Sequence, residues 1–487
     1  MLKAYSLGFF YYSKMPKILS FSELLVKNFK HAPTAGQSKL FGLLDQFIKD
    51  DEERTIFVLK GYAGTGKTTI LSSFIKTLPI FGWKYSLLAP TGRAAKVMSN
   101  YTKGKAQTIH RKIYKQKEDS YSGNLVSELQ ENKDEGTIFI VDEASMIADT
   151  REFGSNGLLH DLINFVFNGT ENKLMLIGDE AQLPPVSMPL SPALDIAHVQ
   201  DFYYSKVYTT TLKDVMRQEA NSGILTNATL LRDQLEVEKP DIQLITRGFK
   251  DIFKMTGEKL EDGIRYAYDK YGPENTIVLT RSNRNAVQYN RLIRNQINYS
   301  DSELDNGDIL MVVKNNYTVL GEESEAGFVA NGEFAIVKRI GREEEMHGFR
   351  FQNVTLQLID YPEDPPFETL IFLDTLYSNS PSLSQEENKK LYESVSQDYF
   401  WVKTKRERNK MIKEDKYMSA LQVKFAYALT CHKAQGGQWN AVFIDQIYLP
   451  NQEIDLEIVR WLYTAITRGI NEVFFVNFQP TFFLENK

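Results

Sequence analysis

One cysteine, Cys431, occurs in 487 residues. That excludes an internal disulfide framework and a cysteine-built iron–sulfur or zinc site, and it suits a reducing, cytoplasmic compartment. No apolar run approaches the roughly 18 residues that a membrane span needs, so no membrane partner is expected. The opening MLKAYSLGFFYYSKMPKIL has an apolar run after Lys3, but Ser13 and Lys14 break it and no small-residue cleavage site follows. It reads as a loose extension rather than a secretory signal, with Met15 as an alternative start. Low-complexity tracts and repeats of solenoid period are missing too. Neither sign of charge is in large excess: 57 basic against 63 acidic residues, net −6. Bulk charge therefore does not make this a nonspecific polyanion binder, although a basic groove can sit on an acidic body. The rest is ordinary globular composition, 42% hydrophobic and 25% charged. At roughly 150 residues per domain, the chain has room for about three domains, or two with insertions.

Strand and helix signals alternate between residues 55 and 100: TIFVLKG, KTTILSSFIKTL, YSLLAPT, GRAAKVMSNY. TIFIVDE (137–143) and KLMLIGD (173–179) are further apolar runs that end in acidic residues. Such alternation predicts a parallel, doubly wound sheet with ligands at the carboxyl ends of its strands. A second set follows in NTIVLTRSN (275–283), AVFIDQIYL (441–449), a helix near 454–468 and EVFFVNF (472–478). The expected fold class is thus α/β with two parallel-sheet domains. Residues 304–375 differ. Short β segments separated by turns rich in Gly, Asn and Glu predict a small barrel inserted into the second domain. Residues 383–420 are charged and helical, either a solvated hairpin or an arm that contacts a strand.

GYAGTGKTT (61–69) fits the phosphate-loop pattern, and it follows a strand and opens a helix as the chemistry requires. Glycines let backbone N–H groups turn toward phosphate oxygens, and the helix N-terminus adds its dipole. Gly61, Gly64, Thr65, Gly66, Lys67, Thr68 and Thr69 form the expected nucleotide cradle, with Lys67 on the β- and γ-phosphates and Thr68 on Mg²⁺. Asp142 and Glu143, ending IFIVDEAS, supply two carboxylates at the same sheet edge. Asp142 is expected to hold Mg²⁺ through water, and Glu143 to deprotonate the attacking water. Positioning and charge neutralisation supply most of phosphoryl-transfer catalysis. Gln182 in LIGDEAQLPPV is a candidate γ-phosphate sensor. Arg217 and Arg468 are candidates to neutralise the transition state, with an ordinary surface ion pair as the other reading of each.

In order along the chain, GYAGTGKT, APTGRAA, TIH, VDEAS, GDEAQLPPV, VMRQ, TCHKAQGG and YTAITRG resemble the motif series of superfamily 1 helicases. Within that superfamily they are similar to the RecD-like and Dda-like DNA helicases, which move 5′→3′. The resemblance spans roughly residues 34–478. It implies two RecA-like ATPase domains, at 34–200 and at 201–300 with 421–487, behind an N-terminal extension, 1–33. Residues 301–420 become an SH3-like barrel plus helical arm, with NGEFAIV (331–337) as the barrel's strand signature. It implies ATP and Mg²⁺ as cofactors, single-stranded DNA and DNA forks as partners, and a monomer that works beside other repair, recombination or replication proteins. Gln37 becomes the adenine reader. Gln182, Arg217 and Arg468 complete the γ-phosphate set, the two arginines from opposite lobes. Thr91, His110, Thr430 and His432 match strand-contacting positions. The duplex-splitting pin falls at 111–136, a short polar stretch in which only Tyr114, Tyr121 and Leu125 could wedge. The competing reading is a nucleic-acid-stimulated ATPase that remodels protein–DNA or RNA complexes without processive unwinding. APTGRAA, TIH and TCHKAQGG have no role in a bare ATPase.

LTCHKAQGG (429–437) places Cys431 beside His432, which suggests a thiol nucleophile with its base. A nucleophile needs its base across space, whereas strand neighbours point to opposite faces. Zinc needs about four ligands. The expectation is that Thr430 and His432 face DNA while Cys431 packs inward as an apolar filler.

Overall fold

The computed structural model describes residues 19–118, 125–149, 157–215, 221–320, 324, 326–446 and 453–484. Strands are numbered in chain order. β1 (Thr55–Gly61), β2 (Lys84–Ala89) and β3 (Ala106–Thr108) come first. β4 (Tyr114–Glu118) and β5 (Leu125–Leu129) pair antiparallel as a separate hairpin. β6 (Thr137–Val141), β7 (Lys173–Gly178) and β8 (Lys206–Leu212) complete a parallel six-stranded sheet of order β3-β2-β6-β7-β1-β8. β6 and β7 are buried along their whole length, as expected of near-continuous apolar runs covered on both faces. Helices Ala35–Lys49 and Lys67–Thr77 cover one face and Leu158–Phe167 the other. The loops after β1, β2, β6 and β7 therefore emerge on one edge. The sheet runs past residue 200, because β8 pairs with β1 from Thr55↔Lys206 to Gly61↔Leu212.

β9 (Ile252–Met255) and β10 (Thr276–Thr280) begin a second parallel sheet. The chain then leaves it for β11 (Ile309–Val312), β12 (Phe334–Met346), β13 (Phe349–Leu358), β14 (Phe367–Phe372) and β15 (Val423–Phe425). Ala426 and Tyr427 alone lead back to β16 (Ala428–Thr430), followed by β17 (Trp439–Asp445) and β18 (Gly469–Val476). The second sheet has the order β16-β10-β17-β18-β9. The inserted sheet is antiparallel, β14-β13-β12-β11-β15. Its two edges meet: Leu421, just ahead of β15, donates to Leu370 O at 2.8 Å and accepts from Phe372 N at 3.0 Å. Helices Gln385–Asp398 and Lys405–Glu414 form a hairpin that lies on this sheet, with Leu391, Val395 and Ile412 against Phe349, Phe351 and Phe372. The hairpin is packed on one face and solvated on the other. No helix among the described residues is long and apolar enough to cross a membrane.

Two joints hold the inserted sheet. Against the second lobe, the buried Arg294 guanidinium donates to both carboxylate oxygens of Asp308 (Nε 3.0 Å, Nη2 2.9 Å), and its carbon stands 4.3 Å over the Phe425 ring. Tyr427 donates to the same Asp308 at 2.8 Å. Removing one partner of such a buried pair costs roughly 3–5 kcal/mol, because the other charge stays desolvated. Against the first lobe, Glu333 presses on Gly92, where a Cβ would come within 2.7 Å of its Oε1. Burial pushes the Glu333 carboxyl up to about 8, so it is mainly protonated at neutral pH.

The folded protein keeps the Glu333 proton to about pH 8, whereas the unfolded chain releases it near 4.5, so stability drains as pH rises between the two. Glu333→Gln should gain stability relative to wild type between pH 5 and pH 8, by roughly 2–4 kcal/mol. Denaturant titration at the two pH values checks it, and an equal difference at both would remove the argument.

Candidate nucleotide site and interlobe cleft

The loop after β1 has the shape that backbone phosphate binding needs. Gly64 (φ 73°) and Gly66 (φ 85°) lie in the left-handed region, which turns successive N–H groups inward. Helix Lys67–Thr77 begins at Gly66 with no side chain capping it, so its dipole end faces the loop. Lys67 Nζ folds back onto Gly61 O (2.6 Å) and Tyr62 O (3.0 Å) and stands 4.0 Å from Asp179. Thr65 Oγ1 donates to Tyr62 O at 2.7 Å, fixing the loop from within. Gln37 braces it from behind. Its Oε1 accepts from Thr34 N, closing a capping box, and its Nε2 donates to Thr65 O at 3.1 Å. In this arrangement Gln37 is a buried prop of the loop.

The carboxylates line the same edge. Asp142 Oδ1 accepts from Glu143 N at 2.9 Å, and Oδ2 accepts a short 2.5 Å hydrogen bond from Tyr101. Glu143 is a non-glycine residue at φ 54°, which swings its side chain into the cleft. Burial raises its pKa, and Arg468, with Nη1 3.8 Å from its carboxylate, pulls it back down. Asp179 is almost fully buried and also shifted up by burial, against the opposing pull of Lys67. Among the described residues, Gln182 Oε1 is buried without a hydrogen-bond partner. Lys67 and an uncapped helix end fit a bound nucleoside triphosphate, the Gln182 acceptor fits a donor such as an attacking water, and the oxygens of Thr68 and Asp142 are donors of the type Mg²⁺ prefers. Arg217 lies outside the described residues.

The second lobe closes over this edge. From helix Leu456–Ile466, Tyr463 accepts from Ala63 N in the phosphate loop (2.8 Å) and donates to Asp179 Oδ2 (2.6 Å). Leu183, next to Gln182, gives its N–H to Thr464 Oγ1 (2.8 Å) and receives Gln435 Nε2 on its carbonyl (2.7 Å). Arg460 donates to Glu180 O. Arg468 is held by Thr464 O and Gly437 O. Sequence reasoning missed Tyr463, Thr464, Gln435 and Tyr101. Tyr463 and Thr464 sit inside YTAITRG, but nothing in the spacing says that their hydroxyls cross the cleft.

The strand-contacting candidates divide differently. Thr91 caps helix Gly92–Thr102, accepting from Ala94 N at 3.2 Å. It lies beside the AQGG turn of the other lobe, where a Cβ on Gly436 would be 3.1 Å from Thr91 Oγ1. Thr430 ends β16 and, like His432, is half-buried; burial lowers the His432 pKa. His110 stands apart at the foot of the β4–β5 hairpin, its ring 5.7 Å from Tyr114 and its pKa lowered by burial. The hairpin occupies the place expected for the pin. Tyr114 donates to Asp161 at 2.7 Å and so anchors its base, Tyr121 lies outside the described residues, and nothing is described of the Leu125 side chain. Cys431 opens a 3-10 turn, Cys431–Ala434, instead of continuing the strand, so strand alternation does not order Thr430, Cys431 and His432. The inward placement still holds. Cys431 is fully buried, its Sγ lies 3.6 Å from Trp461 O, and burial pushes the thiol up to about 12.

Two parallel-sheet lobes meeting over a phosphate loop, with an arginine of one facing a carboxylate of the other, define a two-lobed nucleoside-triphosphatase. Residues 44–241 match the model of an AAA domain, and 425–476 that of a UvrD-like helicase C-terminal domain. The ATP-dependent DNA helicase dda of Enterobacteria phage T4 is 27% identical over 467 residues, 91% of this chain and 99% of that one. The ATP-dependent RecD2 DNA helicase of Deinococcus radiodurans is 31% identical over 170 residues, 35% of this chain and 21% of that protein. A solved structure of the Pif1 helicase from Bacteroides in complex with ADP-AlF3 and ssDNA covers 93% of this chain and 94% of that one, at 14% identity and a TM-score of 0.46. The chain belongs to the superfamily 1 helicases, in their RecD-like and Dda-like branch.

Tyr101→Phe removes the hydroxyl that orients Asp142 and leaves the fold's ring in place. It should raise the Mg²⁺ concentration needed for half-maximal binding of a fluorescent ATP analogue by about three- to tenfold, in line with the loss of one charge-assisted hydrogen bond. An unchanged Mg²⁺ dependence would refute the orienting role.

Proposed function

We propose that the chain is an ATP-driven motor that moves 5′→3′ along single-stranded DNA and parts the duplex ahead of it. The observation that carries this reading is the two-sided hold on Leu183 by the second lobe, one residue from the orphaned Gln182 acceptor. Occupancy at the phosphate edge is thereby tied to the position of the other lobe. Residues 34–215 and the two segments flanking the insertion act as RecA-like lobes, and the closed inserted sheet as an SH3-like barrel. The relatives named above as ATP-dependent DNA helicases support DNA as the track.

Lys67 leaves the Gly61 and Tyr62 carbonyls for the β- and γ-phosphate oxygens. Thr68 and Asp142 are the residues that would hold Mg²⁺, which when bound neutralises phosphate charge. Glu143 takes the proton of the attacking water. Its raised pKa brings it toward the range in which a base is effective at neutral pH. Gln182 and Arg468 meet the γ-phosphoryl from the two lobes, and Arg217 is assigned to the same set. Thr91, Thr430 and His432 grip the strand through its backbone, which makes movement independent of sequence. His110, at the foot of the hairpin, is assigned to the same strand. In this mechanism Gln37 holds the loop and borders the adenine.

The decisive experiment is unwinding of forked duplexes with a 5′ or a 3′ overhang, with ATP turnover measured with and without single-stranded DNA. We expect strand-stimulated turnover, unwinding from the 5′ overhang only, and a loss of turnover in Lys67→Ala of at least about a hundredfold. Preference for the 3′ overhang would refute the polarity.

Cys431→Ala should keep turnover and unwinding within about twofold of wild type, at a stability cost of roughly 1 kcal/mol. Thr430→Ala should keep basal turnover and weaken its stimulation by DNA. A dead Cys431→Ala protein of native stability would restore the thiol hypothesis.

A further inference from the structure

The hairpin on the inserted sheet ends in two bare aromatic rings. Phe400 is 77% exposed and Trp401 61% exposed, on a chain whose Trp439 and Trp461 are each only 2% exposed. Trp401 is oriented rather than loose, because its Nε1 donates to Asp398 O at 2.9 Å. The turn behind it is fixed as well, since Arg408 donates twice to Val402 O (3.2 and 3.0 Å). The surroundings are basic. Between Tyr399 and Glu414 there are six cations, Lys403, Lys405, Arg406, Arg408, Lys410 and Lys413, against Glu407 and Glu414, in a protein of net charge −6. Lys403, Lys405, Arg406 and Lys410 are exposed.

Solvent-exposed aromatic rings are costly, and the buried anchor of helix Lys405–Glu414 is Ile412 rather than either ring. Aromatic faces beside cations are the chemistry that binds unpaired bases and their phosphates. A duplex hides its base faces and would leave the rings unused. We propose that the Phe400–Trp401 tip is a second contact for single-stranded DNA, outside the cleft between the lobes. The assignment rests on the motor reading above for the identity of the strand.

The position of the tip supports a separate contact. Helix Gln385–Asp398 starts near the Glu333 end of the inserted sheet, where Lys314 donates to Asn388 at 3.3 Å and Val312 N to Glu333 O at 2.9 Å. It finishes at the β12–β13 turn, where His347 stands 3.7 Å from Asp398. Fourteen residues of helix carry the tip about 20 Å away from the joint with Gly92. A strand in the cleft must therefore be long to touch both.

The test compares thymidine oligonucleotides of about 8 and about 30 residues, one within and one well above the roughly 4–16 nucleotides that one strand groove occupies. In wild type the long oligonucleotide should quench Trp401 fluorescence, and Trp401→Phe should abolish that component. The double variant Phe400→Ala/Trp401→Ala should bind the long oligonucleotide about five- to fiftyfold more weakly, bind the short one as wild type does, and keep the same turnover at saturating DNA. Lys405→Glu/Arg406→Glu should lower the salt slope of long-oligonucleotide binding by about 1–2. Unchanged long-oligonucleotide affinity without Trp401 quenching, in a protein still stimulated by DNA, overturns the proposal. Equal weakening for both lengths overturns it too, since the tip would then not be a separate contact. Absence of any DNA stimulation in wild type would instead refute the motor reading.

Discussion

The hydrogen-bonded peptide of Leu183 is the constraint on which the rest of the cleft depends. Its N–H and carbonyl are both taken by side chains of the other lobe, Thr464 and Gln435. A buried peptide group left without its partners costs roughly 1–3 kcal/mol for each donor or acceptor. The lobes therefore cannot separate without exposing this peptide to water or re-pairing it. Gln182 precedes it and Asp179 lies at the start of the same turn, with Tyr463 joining Asp179 to the phosphate loop. The phosphate loop thus touches the second lobe directly, through Ala63 N and Tyr463, as well as through the turn from Asp179 to Leu183.

Such coupling is useful only if the remaining parts are stiff. The inserted sheet is fixed to the second lobe by Arg294 and Asp308, a buried pair that tolerates little displacement. Toward the first lobe the contact is of another kind. Arg93 lies 4.3 Å over the Trp439 ring and 4.7 Å over Phe334, so an arginine of the first lobe fills a slot made by the second lobe and the insert. Cation–ring attraction varies slowly with a lateral shift compared with a bidentate ion pair. The insert is thus joined to the second lobe by a buried ion pair and to the first through the Arg93 slot and the Glu333–Gly92 contact.

Much of this was readable in the sequence because it was written in local patterns. The parallel sheets show as apolar runs ending in acids, and the phosphate loop as glycines at fixed spacing between a strand and a helix. The closed inserted sheet was legible from β11 to β14 but not in β15, whose three residues, Val423–Phe425, carry no pattern of their own and exist because β11 is there to pair with. β8 was hidden for a similar reason. Its burial alternates only weakly, since it lies at a sheet edge, and only its pairing with β1 assigns it to the first sheet. Tyr463, Gln435 and Tyr101 were illegible because a hydroxyl or amide that crosses between distant segments leaves no trace in spacing.

The TCHKAQGG turn shows why the most reactive-looking residue is the least reactive. One short turn must reach Leu183 with Gln435, bring Gly436 against Thr91, and offer the Gly437 carbonyl to Arg468. A segment with so many outward duties needs one inward anchor. That anchor must be small, because Ala434 and Trp461 pack beside it, and it must not demand a strong hydrogen bond. The thiol rests against Trp461 O as a weak donor, and a cysteine fills the space without demanding a stronger bond. Cys431 meets both conditions, and the burial that makes it a good anchor is the same burial that holds its thiol protonated.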